Sequence, residues 1–269
     1  MFAEERQELI AGLVTANGRA SVTDLAGRFR ITTETVRRDL AALEAAGSVR
    51  RVHGGAVSPD RFSTSEESIL ERMGQRPAEK IRIAQAALAL IPQGRAGSIL
   101  IDAGSTTEAL AELLAARAAG AGRSGAAPSE TELVVITNAL PVAAKLSGEP
   151  GIALHLLGGK VRGLTQAAVG TSTVESVRRL RPDIAFIGAN GIDAAFGLST
   201  PDPEEAAVKA SFVQSAHRIV VLADSSKLDA ETLVQFASLK DLDTLITDKN
   251  PTRDLADALA EAGVEVVVA

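Results

Sequence analysis

The sequence predicts a mixed α/β protein in two parts: a small winged helix-turn-helix, then a larger domain built on a mainly parallel sheet. Three observations carry this. Residues 1–57 hold three helical periodicities and then a β-branched stretch with a Gly-Gly turn. From Ala78 onward, short unbroken apolar runs alternate with helical segments, the pattern of strands covered on both faces. Between them, 58–77 is polar with a proline near each end, and reads as a linker with some helix in its middle. A chain of 269 residues accommodates one small and one medium domain.

In the head, Leu9, Ile10, Leu13 and Val14 recur at helical spacing, and Asn17-Gly18 stops that helix. Ser21 caps a second helix, with Asp24 three residues on and an apolar face of Val22, Leu25, Ala26 and Phe29. After the link Arg30-Ile31, Thr32 caps a third helix whose inner stripe is Val36, Leu40 and Leu43, ending near Gly47. "SVRRVHGGAV" follows as a hairpin, or wing. In the body the strand runs are 98–101, 133–137, 152–157, 184–188, 219–223, 244–247 and 264–268. Helical stretches at 80–91, 106–118, 172–180, 204–216 and 252–262 lie between most of them. The Ala-, Gly- and Ser-rich 115–130 ends as a flexible loop.

Composition removes several function classes. Hydrophobic residues at 46% and charged residues at 23% suit a globular chain with a real core. With no cysteine there is no disulfide, thiolate metal site or cysteine nucleophile, and the cytoplasm is the expected compartment. The start "MFAEERQELI" has neither the basic nor the apolar region of a signal peptide. No apolar run approaches the roughly 20 residues of a membrane helix. His53, His155 and His217 lie far apart, so neither a metal nor another cofactor is expected.

A net charge of −6 rules out a general attraction to nucleic acid, so any such contact must be local. Residues 1–57 hold eight arginines against seven acids, a net of +1, which leaves −7 to the rest of the chain. Five of those arginines lie at or beyond the helix-turn-helix link. With Val36, Leu40 and Leu43 turned inward, Arg38 and Glu34 point outward, and Thr33, Thr35 and Arg37 flank them. An exposed N-terminal half of that kind offers side chains to base edges in the major groove. Arg50 and Arg51 on the wing then meet the DNA backbone. The expected DNA-facing set is Ser21, Thr32, Thr33, Thr35, Arg37, Arg38, Arg50, Arg51 and His53. Ordinary salt bridges on a solvated helix are the plainer account of the same arginines.

In the body, "DAGSTT" (102–107) follows a strand and opens a helix. Gly104 permits a tight turn, and the amides and hydroxyls of Ser105, Thr106 and Thr107 make an anion cradle with the helix dipole. Asp102 belongs to the same stretch. Other strand ends converge on the same edge of the sheet: Thr137-Asn138, Gly158-Gly159-Lys160 with Arg162, Asn190 to Asp193, and Asp224 to Lys227. There Asn138 and Asp193 suit sugar hydroxyls, and Lys160, Arg162 or Lys227 offsets phosphate charge. Glu205 and Lys209, four apart on one helix, form a salt bridge or face the pocket. A capped helix after a turn is the plainer account of 102–107, and turn residues or solvated charges that of each other strand end; together they suit a ligand with phosphate and hydroxyls, as the head suits double-stranded DNA.

The motifs "SVTDLAGRF", "TTETVRRDLAALEAAG" and "RRVHGGAV" resemble the N-terminal domain of the DeoR family of bacterial transcription regulators. A serine is common in that family where Thr32 or Thr33 stands, a departure that keeps the hydroxyl. The resemblance continues in "EKIRIAQAAL", "IDAGSTT", "VVITNAL", "LLGGKVR", "NGID" and "ADSSK". It implies a sugar-phosphate-sensing and oligomerising domain over 78–269, distantly similar to ribose-5-phosphate isomerase, and homo-oligomers, dimers or tetramers. It implies a regulator, most simply a repressor, and no catalysis. The competing reading is a sugar-phosphate isomerase with an accessory head. Against it, the acids of the isomerase Asp-Gly-Ala-Asp stretch are absent from Ile187-Gly188-Ala189-Asn190, and "FGLSTPDPEE" replaces its lysine loop.

Overall fold

In the head, the apolar periodicities set three helices: α1 (Ala3–Asn17), α2 (Val22–Phe29) and α3 (Thr33–Ala45). The strands here are β1 (Arg19–Ser21), β2 (Arg50–Val52) and β3 (Gly55–Val57), all antiparallel in the order β1-β3-β2. The computed structural model describes residues 2–17, 19–52, 54–58, 64, 66–91, 97–123 and 132–269. Met1, Gly18, His53, 59–63, 65, 92–96 and 124–131, the last including most of the flexible end expected for 115–130, lie outside the described residues. The chain divides into two units, Met1–Ser65 and Glu66–Ala269.

The caps form as the sequence predicts. Ser21 Oγ accepts from the Asp24 amide at 3.0 Å, and Thr32 Oγ1 accepts from the Thr35 amide at 3.2 Å. At the end of α3, Gly47 is left-handed (φ 70°), with Gly47 N–H to Glu44 O and Ser48 N–H to Leu43 O. That pair of bonds is a Schellman stop. Arg30, at the link before α3, is also left-handed (φ 53°), which costs a non-glycine residue about 1 kcal/mol. The core holds Ile10, Val14, Leu25, Val36, Leu40 and Leu43, whereas Leu9, expected inside, is exposed. The wing is three-stranded because β1 joins it. A Cβ on Gly55 would lie 2.3 Å from Ala20 O, so only glycine lets the two strands meet there.

One charged pair pins α1 to α3. Arg6 Nε lies 2.6 Å from Asp39 Oδ2, Arg6 Nη2 lies 3.0 Å from Oδ1, and Gln7 adds a third bond at 3.1 Å. Burial alone would raise the Asp39 pKa. The bonds from Arg6 and Gln7 outweigh it and hold the carboxyl below its usual 3.8.

In chain order the larger unit runs α4 (Ile69–Gly74), α5 (Pro77–Ala89), β4 (Gly97–Ile101), α6 (Ser105–Arg123), β5 (Leu133–Thr137), α7 (Leu140–Leu146) and β6 (Ile152–Leu156). Next come β7 (Lys160–Arg162), β8 (Ala167–Val169), α8 (Thr171–Arg178), β9 (Ile184–Gly188), β10 (Gly191–Asp193), β11 (Gly197–Thr200) and α9 (Pro203–Ser215). It closes with β12 (Arg218–Leu222), β13 (Val234–Ala237), a 3-10 turn (Leu239–Asp241), β14 (Thr244–Thr247), α10 (Arg253–Glu261) and β15 (Glu265–Val268). Seven strands make one sheet in the order β15-β14-β12-β9-β4-β5-β6, with every neighbouring pair parallel. They are the seven apolar runs read from the sequence.

The order reverses at β4 and β9: the chain goes outward through β5 and β6, then returns to β9 beside β4. Alternate residues of these strands feed two cores. Ile99, Ile101, Phe186 and Leu222 pack with Ile83, Leu110 and Val142 of α5, α6 and α7 on one face. Leu100, Ile187 and Val221 pack with Val177, Phe212 and Leu255 of α8, α9 and α10 on the other. This is a doubly wound sheet, whose crevice opens where the order reverses. Two small antiparallel sheets, β7-β8 and β10-β11-β13, sit beside it.

Residues 66–77, read from sequence as the second half of a linker, form α4, begin α5 and belong to the larger unit. Ser68 and Glu71 make a reciprocal capping box, and the Ile69 amide donates to Leu164 O at 2.9 Å. Helix α6 runs through Arg123, further than the expected 118.

Arg6→Ala should destabilise the head by about 2–3 kcal/mol, below the figure for a fully buried pair because Arg6 keeps some solvent contact. The Asp39 contribution is complete above pH 3.8 and is lost as pH falls below it, because the folded carboxyl holds its proton less tightly than the unfolded one. Hydrogen exchange of α1 and α3 amides across that range reads both.

Candidate functional site

The head leaves most of its expected DNA-facing residues at the surface. Thr32, Thr33, Arg37, Arg38, Arg50 and Arg51 are exposed, and Ser21 and Thr35 are partly so. Ser21 and Thr32 spend their hydroxyls on caps, and Thr35 Oγ1 lies 2.9 Å from Thr32 Oγ1. Arg37 Nη1 is 3.7 Å from Glu34, an exposed pair that water screens. Arg51 is tied to Glu44, by its amide at 2.9 Å and its guanidinium at 3.8 Å. His53, expected in this set, lies outside the described residues.

In the larger unit, a cleft opens at the β4–β9 switch. Its walls come from the ends of three adjacent strands: Gly104 to Thr107 after β4, Gly188 to Asn190 after β9, and Asp224 and Lys227 after β12. Glu205 and Lys209 of α9 line it, as does Arg72 of α4. Eight predicted residues therefore meet here: Gly104, Ser105, Thr106, Thr107, Asn190, Glu205, Lys209 and Lys227.

The first carbonyl used within α6 is Gly104 O, taken by the Glu108 amide at 2.8 Å. The amides of Ser105, Thr106 and Thr107 precede it and point out of the helix end. Gly104 is not left-handed, as a tight turn would have it. A Cβ there would instead come 3.1 Å from Thr107 Oγ1, which donates to Gly104 O at 2.9 Å. The glycine keeps the cradle's backbone open and close to that hydroxyl.

Beneath the cradle lies a buried ion pair. Lys209 Nζ bonds Asp102 Oδ2, donates to Gly188 O at 2.9 Å, and stands 5.7 Å over the Phe236 ring. Asp102 Oδ2 also accepts the Gly188 amide at 3.2 Å. Burial pushes the Asp102 carboxyl up, opposed by Lys209. Glu205 does not pair with Lys209. It takes Arg162 Nη1 at 3.1 Å and the Thr165 hydroxyl.

The remaining predicted residues stand elsewhere. Thr137 Oγ1 donates to Ile101 O at 2.7 Å, and Asn138 Nδ2 to Ala168 O at 3.0 Å; both are buried. Gly158 O accepts from Thr173 Oγ1, and a Cβ on Gly159 would sit 2.1 Å from that same oxygen. Lys160 is exposed and pairs with Glu204 at 2.7 Å. Arg162 bridges Glu66, Asp202 and Glu205 behind the cleft wall. Asp193 Oδ1 accepts two amides, from Ala195 and Phe196, and so caps the β10–β11 turn. Asp224, read from the sequence as the start of the Asp224 to Lys227 strand end, also lines the cleft. Arg72 lines it too, and nothing in the sequence marks it.

A winged helix with an outward row of arginine and threonine, and a separate α/β unit with an anion-suited cleft, define a ligand-responsive DNA-binding regulator. The chain belongs to the DeoR family: a DeoR-like helix-turn-helix domain matches 6–62, and a DeoR C terminal sensor domain matches 75–249. It is a DNA-binding transcriptional regulator and not an enzyme. A putative aga operon transcriptional repressor of Escherichia coli O157:H7 is 31% identical, over 98% of this chain and 93% of its own length. The HTH-type transcriptional regulator GlpR of Haloferax volcanii is 33% identical, over 99% of this chain and 98% of its own length. Among solved structures, a ribose 5-phosphate isomerase from Methanocaldococcus jannaschii aligns with TM-score 0.38 and 21% identity, over 55% of this chain and 53% of that one. Among the described residues, no helix is long and apolar enough to cross a membrane.

Lys209→Met should destabilise the larger unit by about 3–5 kcal/mol, since it strands a buried carboxylate. The deficit against the wild type should grow as pH rises above 3.8, because a lone buried carboxyl keeps its proton while the unfolded one ionises. Asp102→Asn combined with Lys209→Met should recover most of the loss. Urea unfolding of the three variants measures it.

Proposed function

We propose that the chain represses an operon of sugar or polyol catabolism, binding its operator through α3 and the wing and releasing it when a phosphorylated sugar occupies the cleft. The observation that carries the effector half is the meeting of free helix-terminal amides with arginine and lysine side chains where the sheet order reverses. The neighbouring Asn190, Glu205 and Asp224 suit the hydroxyls of a sugar. Support for the DNA half comes from exposed Arg37, Arg38, Arg50 and Arg51 in a head whose core is otherwise complete. The E. coli relative is named as an operon repressor, in keeping with this sign of regulation.

The reading includes a homo-oligomer, because pairing two half-sites is how a small helix-turn-helix gains affinity. It places the protein in the cytoplasm with its operator. A ligand releases DNA only by binding one arrangement better than another, and a coupling of about 1–3 kcal/mol is ordinary for that.

Two variants test the halves separately. Arg38→Ala should cost about 1–3 kcal/mol of binding to an operator selected from random duplexes; unchanged affinity removes Arg38 from base reading. Thr106→Asp should leave operator binding intact and abolish release by sugar phosphates, through charge repulsion. If a sugar phosphate still frees that variant from DNA, the effector sits elsewhere.

A further inference from the structure

Six buried side-chain nitrogen or oxygen atoms among the described residues lack a hydrogen-bond partner, and three lie in one short stretch: Glu66 Oε1, Glu66 Oε2 and Arg72 Nε. Buried donors and acceptors are nearly always satisfied, so such a cluster demands a cause. The Arg72 contact is loose, whereas Glu66 is paired closely with Arg162. Arg72 Nη2 stands 3.9 Å from Glu66 Oε1. Arg162 Nη1 is 2.6 Å from Glu66 Oε2, a close ion pair, and 3.1 Å from Glu205 Oε1. Burial, with Glu205 nearby, holds Glu66 above its usual range.

The backbone around them is held firmly. Beyond the Ser68–Glu71 capping box, Lys80 Nζ donates to the carbonyls of Arg72 and Gln75, and Arg76 Nη1 donates to Ser225 Oγ at 2.8 Å. Buried Lys80 is itself pushed down to about 8. What is left short of partners is the Arg72 guanidinium, at the wall of the cleft that holds Thr106 and Lys227. Of the other cations there, Lys209 is committed to Asp102 and Gly188 O, and Lys227 is engaged as well. An entering anion finds in Arg72 a forked donor it can take without breaking a close pair.

We infer that Arg72 is an effector-binding residue whose guanidinium takes an anionic oxygen of the phosphorylated ligand and, in turning to it, leaves Glu66. The inference rests on the cleft reading above. Glu66 is the first residue of the larger unit, directly after the smaller one ends at Ser65. Occupancy therefore exchanges one pairing for another at the covalent junction, which gives the ligand a two-state element to bias.

Binding of inorganic phosphate to the full chain, followed by titration calorimetry and amide exchange, tests this. Arg72→Gln should weaken binding roughly ten- to a hundredfold, the loss of a charge-assisted bond. Glu66→Gln should bind as well as the wild type or better, because it removes the competing carboxylate. If Arg72 only braced α4 through Glu66, both variants would lose binding alike. Phosphate should slow amide exchange at 66–72 in the wild type and leave it unchanged in Arg72→Gln. Wild-type affinity in Arg72→Gln, while Thr106→Asp abolishes binding, overturns the inference and leaves the cleft reading standing. Thr106→Asp with wild-type affinity, or a wild type that binds no phosphate, overturns both. Should Arg72→Gln fail to fold, Arg72→Lys decides: a loss of threefold or more supports the fork, and wild-type affinity overturns it.

Discussion

The cleft depends on the contact between Asp102 and Lys209. Asp102 directly follows β4, the Gly188 amide and carbonyl end β9, and Lys209 reaches them from α9, so one small knot fixes the strands on either side of the switch point. Two charges taken out of water carry a large desolvation cost, and a close pair with further hydrogen bonds only approximately offsets it. Hydrophobic residues would hold the sheet as well. A floor of opposite charges instead adds no net charge to the cleft, and positive character is left to α6's first turn, Arg72 and Lys227.

Charge is also sorted between the two units, and residue by residue within the head. Eight arginines in 1–57 count alike in the sequence, yet they do different things. Arg6 is consumed in the buried pair with Asp39, and Arg30 forms a strained helix stop. Arg37, Arg38, Arg50 and Arg51 are exposed, so the surface charge of α3 and the wing exceeds what the head's small net charge suggests. The body carries the excess acid and has no general attraction for phosphate backbones. Its affinity for an anion is confined to a pocket.

The sequence revealed much of the fold for a physical reason. Parallel strands buried on both faces must be apolar throughout, so all seven appear as unbroken runs. Strands such as β7 (Lys160–Arg162) and β11 (Gly197–Thr200) are three or four residues long and mixed in character, and leave no such trace. Helix α4 falls in the polar segment read as partly helical in its middle, where Ser68 and Glu71 have capping-box spacing. The site was legible in part. Residues after β4, β9 and β12 reach the cleft. Gly158, Gly159 and Lys160 follow β6, the edge strand, and Thr137 and Asn138 at the end of β5 spend their side chains on Ile101 O and Ala168 O. Strand identity is local, whereas strand order is not, so every strand end looked equally eligible.

The same distinction explains why Arg72 escaped notice. Its neighbours in sequence are polar and carry no ligand motif, and its place at the cleft arises from α4 folding back under the Ile69–Leu164 bond and the Arg76–Ser225 bond. A regulator must connect an occupied pocket to its DNA-binding face, and the covalent route between the units passes through Ser65 and Glu66. A segment anchored along its backbone, with the Arg72 guanidinium left short of partners, meets both demands. It stays in place without the ligand, and it has unsatisfied bonds for a ligand to complete. Full satisfaction of Glu66 and Arg72 by each other would stabilise one arrangement too well for a modest binding energy to shift it.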